Sequence, residues 1–105
     1  MESERLKILQ KNLEETPGDA FARYLLALEL NKLNRHEEAL AHFETLIREH
    51  AEYVPTYYQL AQVYENLGRT EEAIRVYHLG LKAARRAGDL HTASEIQAAL
   101  DMLGP

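Results

Sequence analysis

Cysteine is absent from this sequence of 105 residues. The chain therefore forms no disulfide and has no thiolate to act as a nucleophile or a metal ligand. Proline and glycine are also scarce, at 3 and 5 residues, which leaves most of the chain open to long regular elements. No apolar run approaches the roughly 18 residues that a membrane span requires, and the opening residues MESERLKILQ lack the apolar core of a signal peptide. We therefore expect a cytoplasmic protein.

Basic residues are outnumbered by acidic ones, 12 to 17, and the formal net charge is −5. Duplex nucleic acid and anionic membranes both favour a basic protein surface, so this balance argues against either one as the main partner. Hydrophobic residues make up 46% of the chain and charged residues 28%, as in an ordinary folded domain. At this length we expect one domain with one small core.

Helix-forming residues dominate the chain, and its apolar residues recur at the three- and four-residue spacing of an α-helix. Asp19 and Thr70 are predicted N-caps, and Pro55 suits a first helical turn. Gly68 is predicted to end a helix in the left-handed conformation. The pattern predicts six helices, near residues 3–15, 20–33, 37–50, 55–67, 71–87 and 90–103.

The chain repeats itself after 34 residues. The stretch LALELNKLNRHEEALAHF begins at Leu26, and LAQVYENLGRTEEAIRVY begins 34 residues later at Leu60. The matched residues are Tyr57-x-x-Leu60-Ala61-x-x-Tyr64, Gly68 and Ala73-x-x-x-Tyr77 in the second copy, and Leu26-Ala27-x-x-Leu30 and Ala39-x-x-x-Phe43 in the first. A two-helix repeat of this length resembles the tetratricopeptide repeat (TPR) family.

The resemblance implies an all-α fold, a right-handed superhelical solenoid of helical hairpins with about six antiparallel helices. Its parts would be a half repeat at 1–17, full repeats at 20–53 and 54–87, and a closing helix at 88–105. Arg23 departs from the family pattern, since a large apolar residue is usual there. The closing prolines are also replaced, by Ala51 and Arg85.

Small residues at matched positions predict close helix packing. Ala27 and Ala39 in the first copy, and Ala61 and Ala73 in the second, would let the two helices of each hairpin approach closely. Gly80 is predicted to be required where a second helix crosses its neighbour. The half repeat matches the second helix of a repeat, through Leu6, Leu9 and Leu13. Core-facing positions in the first helices are predicted for Leu26, Ala27, Leu30, Leu33, Leu60, Ala61, Tyr64 and Leu67.

Catalytic motifs are missing. The sequence contains no HExxH, GxSxG or glycine-rich phosphate loop, and its five histidines give no i, i+4 metal pair. The pairs Glu37-Glu38 and Glu71-Glu72 are candidate acid–base carboxylates, but acidic residues in a first helical turn are explained by the helix dipole. We expect no enzymatic activity, no cofactor and no bound metal.

A basic cluster at Lys82, Arg85 and Arg86 is the candidate for RNA contact. Cations near a helix C-terminus are favoured by the same dipole, and no aromatic residue stands nearby to stack on a base. The structural interpretation is therefore favoured, and no nucleic-acid partner is expected.

In TPR proteins the first helix of each repeat lines a concave groove, and the resemblance implies the same here. An aromatic and apolar patch that a monomer does not need for its core usually marks a binding site. The alternative is that Tyr24 fills the space left by Arg23 and that Tyr58 shares its packing with Tyr57. The predicted groove residues are Phe21, Tyr24, Leu28, Asn31, Tyr58, Gln62 and Glu65.

Family members that bind chaperones hold a terminal carboxylate with cationic residues. Tyr24, Leu28, Tyr58 and Gln62 occupy those places here, so we predict a partner with apolar anchors instead, bound as a helix or an extended segment. The predicted function is that of an adaptor or scaffold for protein–protein interaction. The alternative is a self-assembling structural protein that forms a homo-dimer through its N-terminal half repeat. A terminal repeat normally needs a polar outer face, and here one neighbouring helix is not expected to cover all of Leu6, Ile8, Leu9 and Leu13.

Overall fold

The computed structural model describes residues 3–104, and every regular element in that range is an α-helix. Each helix begins and ends within one residue of the bounds predicted from the sequence. None of these helices has the length and hydropathy of a membrane span. The helices are α1 (Glu4–Glu15), α2 (Ala20–Lys32), α3 (His36–Glu49), α4 (Pro55–Asn66), α5 (Thr70–Ala87) and α6 (Leu90–Met102).

The helices form two compact units. Unit 1 extends to His50 and contains α1, α2 and α3, whereas unit 2 starts at Ala51 and contains α4, α5 and α6. In unit 1, α2 packs against both α1 and α3. The helical spacing places one apolar stripe of each helix in this core, and Leu6 of α1 is fully buried, as its match to Leu40 predicted. The buried apolar residues of unit 1 are Leu6, Leu9, Leu26, Ala27, Leu30, Ala39, Leu40, Phe43 and Leu46.

Two residues of α2 differ from expectation. Leu33 was predicted to face the core but is 37% exposed, because it is the C-cap of α2 and lies beyond the last packed turn. Glu29 is only 7% exposed, where a carboxylate is normally found at the surface. Its Oε1 lies 3.1 Å from Nε of Arg5 on α1, and this cation compensates for burying the negative charge.

Three helices end in the same turn. Asn34, Gly68 and Gly88 have positive φ angles of 63°, 75° and 73°, so the prediction for Gly68 is confirmed. The next residue's N–H then donates to a carbonyl five residues earlier, at 2.8 to 2.9 Å. This bond satisfies a carbonyl that the helix end would otherwise leave without a donor.

The helix starts are capped in different ways. Asp19 is the predicted N-cap of α2, and its side chain accepts hydrogen bonds from two N–H groups in the first turn. Thr70 was wrongly predicted as a cap: Arg69 precedes α5 in that role, because the left-handed Gly68 lets the helix start one residue earlier. The pattern also missed Asp89, whose carboxylate accepts from the Thr92 N–H at 3.1 Å.

In unit 2, α5 packs against both α4 and α6, and its crossing point is Gly80. A Cβ atom at Gly80 would lie 2.5 Å from Cβ of Tyr57 on α4 and 3.0 Å from Cδ1 of Ile96 on α6. Real Cβ atoms do not approach so closely, so only glycine permits this packing. The predicted requirement for a small residue at this position is confirmed.

We expect Gly80→Ala to lower the free energy of unfolding by roughly 1–3 kcal/mol, because overpacking outweighs the better helix propensity of alanine. Urea denaturation of the purified protein measures the change. Gly18→Ala is the matched control, since a Cβ at Gly18 meets nothing within 4 Å. Equal stability of the two variants would contradict the proposed crossing point.

Candidate functional site

The predicted groove residues of unit 1 lie on one side of α2. Phe21, Tyr24, Leu28 and Asn31 are separated by three, four and three residues, the spacing of a single helix face. Phe21 is 55% exposed, whereas the other three are partly buried. The sequence period therefore brings these four residues together, with Phe21 as the most accessible of them.

Tyr24 has a packing role within unit 1. Its ring meets Phe43 of α3 edge-on, with the ring centroids 6.3 Å apart and an interplanar angle of 66°. Asn31 is also engaged, because its Oδ1 lies 2.6 Å from Nδ1 of His36. Truncation of Tyr24 would thus affect the core as well as the surface.

Arg23, which stands where the family has a large apolar residue, extends to α3. Its Nη1 donates to Nδ1 of His42 at 2.9 Å. Burial, and next the charge of Arg23, lower the pKa of His42 below its ordinary value near 6.5. A neutral imidazole can accept this bond whereas an imidazolium cannot, so the contact depends on an unprotonated His42.

Phe21 stands at a cleft between α1 and α2. The cleft has a volume of about 330 Å³ and combines apolar side chains with a polar rim. Phe21 thus offers an aromatic face where another apolar group can be received. The lining residues are Leu9, Asn12, Glu15, Thr16, Asp19, Phe21, Ala22 and Leu25.

The predicted groove residues of unit 2 lie on one face of α4, at Tyr58, Gln62 and Glu65. The Tyr58 ring packs edge-on against Tyr77 of α5, with centroids 6.1 Å apart and an interplanar angle of 66°. This pair stands 34 residues after the aromatic pair of unit 1 and has the same geometry. The Tyr58 ring therefore has a packing role within unit 2.

The hydroxyl group of Tyr77 is a functional group that the sequence pattern did not predict. It donates a hydrogen bond to Oε2 of Glu65, and the side chain of Gln62 also bonds to it. Burial, and next the bond to Glu65, raise the pKa of Tyr77 above its usual range. The available signal was the tyrosine itself, since the first repeat has Phe43 at the matched position and a buried hydroxyl needs a partner.

Little supports the other candidate chemistries. Within residues 3–104, no three histidine, aspartate or glutamate side chains are grouped so that they could hold a metal ion. Lys82, Arg85 and Arg86 are exposed on α5, and Arg86 shares a small cleft with the acidic Glu52. That acidic neighbour does not suit a phosphate backbone.

Comparison with known families agrees with this arrangement of helices. A profile of the tetratricopeptide repeat matches residues 30–100, and a second tetratricopeptide profile matches residues 1–57. The chain belongs to the tetratricopeptide repeat family. Members of the TPR family generally serve as protein–protein interaction modules and are generally not enzymes.

Solved structures resemble the fold closely. A solution structure of a TPR domain protein from Salinibacter ruber is 42% identical, with a TM-score of 0.80, over 84% of this chain and 89% of that one. Protein BPP2914 from Bordetella parapertussis shares the fold at 21% identity, with a TM-score of 0.80 over 98% of this chain and 89% of that one. These neighbours show an all-α helical-repeat solenoid.

A curated relative is much longer than this chain. Protein DIA2 of Eremothecium gossypii is 36% identical over 86 residues, which is 77% of this chain. The chain spans only 13% of the length of that protein. The similarity therefore covers a small part of that protein.

We expect the protein to become less stable as the pH falls below about 6.5, because the unfolded chain binds a proton on His42 before the folded one does. Urea unfolding at about pH 7.5 and about pH 5.5 measures the difference. His42→Gln should flatten this dependence, since glutamine can accept from Arg23 but does not titrate. His78→Gln, in unit 2, should leave the contribution of His42 in place; an unchanged slope in His42→Gln would contradict the assignment.

Proposed function

We propose that this TPR protein is an adaptor or scaffold for protein–protein interaction. Each unit would bind a helix or extended segment of a partner by itself, unit 1 at the predicted groove residues of α2 and unit 2 at those of α4. The observation that carries the proposal is the exposure of Phe21 at the α1–α2 cleft. Full burial of such a side chain contributes roughly 1.5–3 kcal/mol, and the exposed part of Phe21 leaves a share of this free energy available to a partner. The general role of the family supports the same conclusion.

The chemistry of these faces favours apolar anchors. On α2, Phe21 is followed along the same face by Tyr24 and Leu28, and none of these side chains is charged. The partly buried Tyr24 is held by Phe43, which gives an incoming group a rigid aromatic neighbour at low entropic cost. A partner segment that inserts apolar side chains here would bind in the way that an amphipathic helix binds in an apolar groove.

We expect Phe21→Ala to weaken partner binding by roughly 2 kcal/mol, about thirtyfold, with little change in melting temperature. A random peptide library displayed on phage, selected on the wild-type protein, supplies the ligand, and fluorescence polarisation measures its affinity. Met102→Ala is the control, because Met102 is 88% exposed and lies at the end of α6. Equal binding by wild type and Phe21→Ala would refute the role of α2.

Self-assembly is a second candidate function, favoured by one observation on α1. Ile8 is 59% exposed, whereas its neighbour Leu9 is buried. An apolar side chain on an outer helix face can be covered by a second copy of the chain.

If the protein assembles in this way, we expect Ile8→Glu to convert a dimer into a monomer without loss of helix. Light scattering measures the molecular mass at a protein concentration on the order of tens of micromolar, since assembly depends on protomer concentration. Leu9→Glu is unsuitable because it would place a charge in the core. A wild-type protein that is already monomeric under these conditions excludes assembly through Ile8.

A further inference from the structure

We propose that the α4 face of unit 2 selects a partner segment that carries a basic side chain for Glu65 and an apolar side chain for Tyr58. The two side chains would stand about 10 Å apart, the rise of seven helical residues. The inference rests on the proposed function and specifies the partner that this face accepts.

Glu65 is a carboxylate held in place on a helix surface. Its Oε2 accepts the hydrogen bond of Tyr77, whose ring is fully buried and therefore immobile. Glu65 remains partly exposed, and no lysine or arginine among the described residues pairs with it. A charge that is already oriented loses little entropy when it meets an opposite charge. Glu65 is therefore suited to receive a cation from outside the chain.

The lysines and arginines of unit 2 are confined to α5 and the turn before it. Neither α4 nor α6 contains a lysine or an arginine, and both carry acidic residues, Glu65 on α4 and Glu95 and Asp101 on α6. A basic partner segment that approaches α4 therefore meets no positively charged side chain on α4. The cations of this unit lie on α5 or in the turn before it, at Arg69, Arg75, Lys82, Arg85 and Arg86.

Tyr58 provides the second contact. Its ring is braced edge-on by Tyr77, so one tyrosine positions both the aromatic ring and the carboxylate. Tyr58 precedes Glu65 by seven residues, or two turns of α4. Because an extended chain rises about 3.3 Å per residue and a helix 1.5 Å, the partner's apolar and basic residues would be three positions apart when extended and seven when helical.

Arginine fits the basic position better than lysine. Its planar guanidinium forms two parallel hydrogen bonds to a carboxylate, whereas an ammonium acts as a point charge. The aliphatic stem can lie along the helix towards Gln62, which is exposed between the two contacts. A clamp for a partner's terminal carboxylate would need cations at these positions of the protein. Here the protein supplies the carboxylate, Glu65, and the partner would supply the cation.

The test is a selection of random peptides of about 12 residues, long enough to span either spacing, on wild type and on two variants. Glu65→Gln removes the charge while its amide oxygen can still accept from Tyr77. Glu71→Gln removes the same charge from the first turn of α5, where Glu71 is exposed. We expect wild type and Glu71→Gln to enrich arginine or lysine at a fixed distance from an apolar residue, and Glu65→Gln to lose this preference.

A peptide from the wild-type selection then gives the magnitude. Replacing its basic residue with citrulline, the neutral analogue of arginine, should weaken binding to wild type roughly tenfold or more. The same replacement should leave the affinity for Glu65→Gln almost unchanged. Tyr77→Phe keeps the ring that the first repeat has at Phe43 but releases the carboxylate, and should reduce the effect of citrulline.

Each remaining outcome overturns the inference in a distinct way. Peptides with apolar anchors but no basic residue would refute it and leave the proposed function standing. Loss of the basic preference in Glu71→Gln as much as in Glu65→Gln would show a general effect of net charge. A wild-type protein that enriches no peptide would refute the proposed function together with the inference.

Discussion

Close packing of the helices in this protein depends on buried residues with little or no side chain. Gly80 is the strictest case, since the neighbouring side chains leave no room for even a methyl group. Ala27 and Ala39 in unit 1, and Ala61 and Ala73 in unit 2, are buried completely in the same way. Close approach of the backbones leaves the larger residues to fill the space around each crossing, which sets the rotation of α2 and α4 about their axes. The surfaces proposed for binding depend on that rotation.

Much of the fold could be predicted because local rules decide it. Helix bounds follow from a three- and four-residue period interrupted by turn residues, and the 34-residue repeat assigns Leu6 to the core by its match with Leu40. Leu33 and Thr70 were wrongly assigned, since each stands at a helix end, where one residue of shift changes its role. Glu29 was unpredictable for another reason: its burial depends on a cation from a different helix.

The candidate site divides in the same way. Helical spacing alone places Phe21 and Leu28 on one face of α2, so the sequence suffices to group them. The hydrogen bond between Tyr77 and Glu65 joins α5 to α4, and the two residues are twelve positions apart in sequence. The helical period of the sequence does not predict such a contact. What makes Glu65 a distinctive carboxylate, among the 17 acidic residues, is therefore tertiary structure rather than sequence pattern.

The main packing contacts within each unit join helices that are neighbours in sequence, α1 with α2, α2 with α3, α4 with α5 and α5 with α6. Contacts of this kind close short loops, which costs little entropy and favours rapid folding. The core of unit 1 is complete at His50. Its three helices can therefore condense on the ribosome while the residues from Ala51 onward are still being added.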